Sequence, residues 1–152
     1  MNKRILAAAL AAVLIVCCFA LTACHKKEQS KAPTESAQRY DSLDEIKDEL
    51  GFDITVPEDI NVEAYTIRKK TTIQVVYDGG YIRKANTMEP VAKKPKDTKA
   101  ETVVVGENEV TLCTKDDKVM LAIWSDSRNS YCLGSQLGID KDTAITYISQ
   151  IK

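Results

Sequence analysis

The chain has 152 residues, 44% hydrophobic and 28% charged, with 21 basic against 22 acidic side chains. That length suits one folded domain with an appendage, and the near-neutral balance lacks the basic excess of a non-specific nucleic-acid binder, so no nucleic-acid partner is expected. Ample Val, Ile and Tyr argue against wholesale disorder, and the single histidine, His25, leaves almost the whole chain without the commonest general base.

At the start of the chain Lys3 and Arg4 precede an unbroken apolar run from Ile5 to Leu21, closed by Thr22-Ala23-Cys24. A short positive start, an apolar stretch and a small-residue break make residues 1–23 a secretory signal peptide, its positive end held on the cytoplasmic side. Leu21-Thr22-Ala23-Cys24 resembles the lipobox of bacterial prolipoproteins. The resemblance implies that Cys24 receives a diacylglyceryl group and that a dedicated signal peptidase cleaves just before it. The mature protein is then a lipoprotein on the cell membrane, facing outside the cytoplasm, with membrane lipid as its first partner through acylated Cys24. Each buried methylene contributes about 0.8 kcal/mol, so two or more acyl chains hold where one would let go. The alternative is an uncleaved anchor, since Ile5–Ala23 is just long enough to cross a bilayer. Cys17 and Cys18 fall inside the discarded segment.

Residues 24–39 hold Pro, Ser, Gln and charges but no large apolar side chain, and read as a lipid-anchored flexible tether. Lys26 and Lys27 beside Cys24 favour anionic headgroups by about 1 kcal/mol each. The folded part is expected over 40–152, where 15 basic and 20 acidic side chains leave a net charge of −5. A domain of that size buries an adequate core without staples. It is too small for a two-lobed solute-binding architecture.

Ser42-Leu43-Asp44-Glu45 is a capping box, Leu43, Ile46 and Leu50 form one apolar stripe, and Gly51 ends the helix by tolerating a left-handed backbone. Phe52 to Pro57 alternates and stops at proline, an extended entry segment. Strand-like runs follow at 62–68, 72–77 and 81–85, the last two joined by the hairpin signal Asp78-Gly79-Gly80. Residues 86–100 break the pattern with prolines and with Lys93, Lys94, Lys96 and Lys99, and an irregular loop that long in a small domain is functional or disordered. Strands resume at 101–105, 109–114, 118–125 and 130–134, with Asp116-Asp117 and Asp126–Asn129 as turns. Asp140 then caps a helix whose Ala144, Ile145, Ile148 and Ile151 face one way. No helix separates consecutive strands, so the expected fold is a single α+β domain. Its antiparallel sheet has about six to seven strands, with a short N-terminal helix and a C-terminal helix.

The residue inventory offers little catalytic machinery. His25 sits in the tether, and no CxxC, HExxH or glycine-rich phosphate loop appears, so neither metal nor cofactor is implied. A carboxylate-dependent hydrolase is the minority alternative to a non-enzymatic protein. Cys113 and Cys132, on strands two apart, would lie about 9–10 Å from each other, too far for a disulfide. A register counted from the turns sets Cys113 opposite Met120 and Cys132 opposite Ile123, on opposite faces of the sheet. The same register sets Trp124 opposite Tyr131, a pair that either packs the sheet or stacks on a ligand.

From Tyr40 onward the chain resembles an uncharacterised extracytoplasmic domain family of Gram-positive bacteria, found in lipoproteins and at the outer ends of anti-sigma-like membrane proteins. The residues that carry the resemblance are Gly51-Phe52, Val56-Pro57, the strand Ile73–Tyr77, Ala122-Ile123-Trp124, Tyr131-Cys132-Leu133 and the helix Asp140–Ile151. It implies structural roles for the Trp and Gly-Phe positions and transfers no activity or site. The functional expectation is a surface-anchored binding or sensing module. Its candidate contacts are Lys93, Lys94, Lys96 and Lys99 of the loop, with Trp124 and Tyr131 as an aromatic contact. An envelope protein or an anionic cell-wall polymer is the expected partner. The alternative of a different class is a structural or accessory subunit of an envelope complex.

Overall fold

A computed structural model describes residues 38–152. The signal segment, the lipobox with Cys24, and the tether up to residue 37 lie outside the described residues. The elements in chain order are β1 (Gln38–Tyr40), α1 (Leu43–Leu50), β2 (Val62–Arg68), β3 (Thr72–Tyr77), β4 (Gly80–Ala85), β5 (Lys99–Val105), β6 (Asn108–Lys115), β7 (Lys118–Ser125), β8 (Ser130–Ile139) and α2 (Lys141–Gln150). They form an α+β domain with one antiparallel sheet in the order β1-β2-β3-β4-β8-β7-β6-β5. Two meanders, β1–β4 and β5–β8, are thus joined side by side where β4 pairs with β8. No helix of the described residues is long and apolar enough to cross a membrane.

The sheet has eight strands, where six to seven are expected. The added strand is β1, which takes in Gln38 and Arg39 from the end of the range read as tether. Of its three residues only Tyr40 is buried, so nothing local marks it. Pairing of Gln38, Arg39 and Tyr40 with Ile67, Thr66 and Tyr65 makes it a strand.

Local chemistry sets the turns. Ser42 caps α1 through its Oγ, which accepts the Glu45 N–H at 3.4 Å, and Gly51 ends it at φ 75°. The β6–β7 hairpin turns on Asp116 and Asp117, both at positive φ, a conformation that aspartate tolerates better than most residues. Asp140 starts α2 with its main-chain carbonyl accepting the Ala144 N–H at 2.9 Å, but its side chain caps no amide, and its Oδ1 instead accepts from Lys118 Nζ at 2.7 Å.

One face of the sheet carries the main core. Ile73, Val75, Ile82, Leu112 and Leu133 are almost fully buried there, under Ile46 of α1 and Ala144 and Ile148 of α2. The link from α1 to β2 adds Ile54 and Ile60, and its Thr55 N–H donates to the carbonyl of Lys152 at 3.0 Å, tying this link to the residues that follow α2. Burial at about 25 cal/mol per Å² of apolar surface makes this face the main source of stability.

The register differs from the turn-based count at one position. Cys113 pairs with Leu121, not Met120, because the β6–β7 ladder shifts between Cys113 and Thr114 and the β7–β8 ladder between Val119 and Leu121. Met120 is the extra residue of a bulge, and a one-residue slip moves every later side chain to the other face. Cys132 does face Ile123. Cys113 and Cys132 therefore share the second face, where the opposite-face expectation fails. There they bury Leu121 between them, and both thiols are free.

Candidate functional site

The second face is covered not by a helix but by the segment 86–98, which leaves β4 and crosses to the far edge at β5. Val91 and Ala92 of this strap pack on Cys113, Leu121 and Cys132. Two hydrogen bonds pin it: Ser130 Oγ donates to the Glu89 carbonyl at 2.7 Å, and Arg83 Nη1 donates to the Val91 carbonyl at 3.4 Å. The strap thus turns Val91 and Ala92 inward and leaves its lysines, and Met88, exposed.

Lys93, Lys94 and Lys96 are exposed on the strap, whereas Lys99 is the first residue of β5. They do not form one patch. Lys99 borders a hollow with Asp97, Asp116 and Asp117, where carboxylates offset its charge. Lys96 and Lys93 stand over a hollow of about 360 Å³ floored by Tyr81, Met120 and Leu121. Lys93 also borders a second cleft of about 360 Å³ on the opposite side of the strap.

That second cleft lies between the β2–β3 turn and the strap, and its cations are Arg68, Lys69, Arg83 and Lys93, with Glu89 as the one carboxylate. Strand β3 brings the arginines to one face from either side: Arg68 of β2 pairs with Thr72, and Arg83 of β4 pairs with Gln74, two residues along β3. Arg83 is held on three sides. Its Nε donates to Gln74 Oε1 at 2.7 Å, its Nη1 reaches the Val91 carbonyl, and its guanidinium lies 4.1 Å from the centroid of the Tyr81 ring. Stacking on an aromatic face and fixed hydrogen bonds orient the guanidinium before any ligand arrives. Among the described residues the ion pairs are Lys47–Asp53, Lys118–Asp140 and Lys141–Glu101, so no cation of this cleft has a carboxylate bound to it.

Trp124 and Tyr131 lie on the core face, stacked with centroids 5.3 Å apart and planes 5° from parallel, and each is only 4% exposed. Tyr131 Oη donates to Asp126 Oδ2 at 2.8 Å. Burial opposes ionisation of Asp126, but N–H groups of Arg128 and Asn129 and the Tyr131 hydroxyl outweigh it and hold the carboxyl at about 2. Burial, and then Asp126, push the Tyr131 hydroxyl upward. Burial likewise raises the Cys132 thiol to about 12, which makes it a poor nucleophile.

The strap lysines stand out as a cluster in the sequence, whereas Arg68, Lys69 and Arg83 do not. Arg68 and Arg83 stand on the two strands that flank β3, and they become a shared face only when both pairings are known. Compared with known protein families, known proteins and solved structures, the chain matches none.

Proposed function

We propose that the protein is a lipoprotein anchored through Cys24, whose folded domain is a non-enzymatic binding module for an anionic cell-wall polymer outside the cytoplasm. The lipobox Leu21-Thr22-Ala23-Cys24 and the resemblance to extracytoplasmic domains support the location. The observation that carries the binding reading is the strap itself. Its Val91 and Ala92 cover the second sheet face, while Lys93, Lys94 and Lys96 remain exposed, Lys93 and Lys96 of them beside clefts. Although the domain is acidic overall, Arg68, Lys69, Arg83 and Lys93 line one cleft on this side with a single carboxylate, and a local positive field raises the concentration of polyanions there.

The test is the full chain with Lys93, Lys94, Lys96 and Lys99 all changed to Gln, compared with wild type for retention of purified anionic wall polymer. Loss of retention with an unchanged melting temperature is the expected result. Unchanged retention contradicts the reading, and capture of an envelope protein in place of polymer would favour the accessory-subunit alternative.

A further inference from the structure

We propose that the cleft between the β2–β3 turn and the strap is a phosphate-binding site built by Arg68, Lys69, Arg83 and Lys93. The inference deepens the function proposed above and rests on it for the source of the phosphate, a phosphodiester of the wall polymer.

Four cations face one carboxylate, Glu89, in a cleft of about 360 Å³. That excess is more than a single carboxylate ligand would neutralise, and it suits a group that spreads negative charge over several oxygens. Arginine supplies planar forks that match phosphate oxygens, and lysine a mobile point charge. Thr71, Thr72 and Thr87 also line the cleft, and threonine hydroxyls are neutral donors of the kind that complete phosphate sites. Arg83 is half-buried and already oriented by Gln74, Val91 and Tyr81, so little of its freedom is lost on binding. No carboxylate within the described residues is bonded to any of the four cations, so an incoming anion meets no competing ion pair.

The turn residues point the same way. Lys69 and Lys70 sit at φ 51° and 58°, left-handed positions that Asn and Gly fill at lower cost. The equivalent positions of the β6–β7 hairpin carry Asp116 and Asp117, a better match to that backbone. Lysine at Lys69 is not explained by the turn, and its side chain borders the cleft.

The experiment uses the full chain in phosphatidylcholine nanodiscs, which present no net headgroup charge, titrated with inorganic pyrophosphate. Binding is followed by the Nε–H resonances of the arginines. Pyrophosphate is expected to shift the Arg68 and Arg83 signals, and R68Q is expected to weaken it about tenfold, the loss that one charged hydrogen bond produces. Arg68 makes no hydrogen bond to the strap, so R68Q tests the site without loosening the fold, while R83K should retain more affinity than R83Q. K69N should raise the melting temperature and lower the affinity together. Wild-type affinity in both R68Q and R83Q, or no movement of the arginine signals, overturns the site.

Two further arms separate the sources of phosphate. Displacement of pyrophosphate by soluble poly(glycerol phosphate) in the neutral discs supports the wall polymer, whereas displacement only by phosphatidylglycerol discs overturns that source and assigns the site to lipid headgroups. The triple variant K94Q/K96Q/K99Q leaves the cleft intact. Unchanged polymer retention in that variant and in the quadruple variant, with pyrophosphate binding still weakened in R68Q, would end the strap reading and leave the cleft standing.

Discussion

The Ser130 hydroxyl donates to the main-chain carbonyl of Glu89 at 2.7 Å, joining β8 at the centre of the sheet to the strap that crosses it. Ser130 is 1% exposed and is one of few buried polar side chains in the domain, so its hydroxyl has no water to fall back on. The contact fixes where the strap begins its crossing, and with it the position of Lys93 between the two clefts.

Removal of this bond by Ser130→Ala should cost about 1 kcal/mol and free the start of the strap. Because the strap covers Cys113 and Cys132, the expected signature is faster modification of these thiols by a maleimide under native conditions, in a protein that still melts cooperatively. In wild type both thiols should react only on global unfolding. Rapid labelling of native wild type would show that the strap does not seal the second face.

Stability should fall as pH drops from about 4 towards 2, in part through Asp126. Its folded carboxyl lies at about 2, below the unfolded value, so the stabilisation is present above the unfolded pKa and is lost as pH falls through the folded one. Asp126→Ala leaves the N–H groups of Arg128 and Asn129 and the Tyr131 hydroxyl without their acceptor and should cost at least about 1 kcal/mol at neutral pH. Chemical denaturation at stepped pH checks this: the difference between variant and wild type should shrink towards pH 2. A constant difference across that range would remove the carboxylate from the account.

Gly134 lies directly beneath the Tyr81 ring, and a Cβ there would come within 2.5 Å of Tyr81 Cζ. Gly134→Ala should therefore displace the ring and cost about 1–3 kcal/mol by overpacking. Since the Tyr81 ring also carries the Arg83 guanidinium, the substitution should weaken pyrophosphate binding as well. A melting temperature within a degree of wild type would show that Tyr81 is free to move.

Much of the architecture was legible in the sequence because its signals are local. The Ser42 cap, the Gly51 stop, the Asp78-Gly79 turn and the alternation of β3 each specify their own backbone. What escaped depends on partners far along the chain. Strand β1 has one buried residue and exists through pairing with β2. The bulge at Met120 carries no mark in the residues around it, yet it places Cys113 on the same face as Cys132. The basic cleft escaped for the same reason: Arg68 and Arg83 meet only once β2, β3 and β4 lie side by side. The lysines of the strap stood out as a cluster in sequence, although the fold then disperses them among separate hollows.

The proposed lipid anchor has a direct check. Cells grown with labelled palmitate should label the wild-type protein and release an unlabelled Cys24→Ala protein from the lipid-linked fraction. A Cys24→Ala protein that still carries label would place the lipid elsewhere.

The claim that the anchored domain holds a phosphate-bearing polymer is tested most directly by isolating the full chain from its native membrane in polymer-bounded discs and measuring the non-lipid organic phosphate that accompanies it. Phosphate in excess of the lipid content is expected at low salt, shed as ionic strength approaches 1 M, where screening falls to about 3 Å. Arg68→Gln combined with the four strap lysines changed to Gln is expected to abolish the excess. Non-lipid phosphate equal to background in wild type, or undiminished in that combined variant, would contradict it.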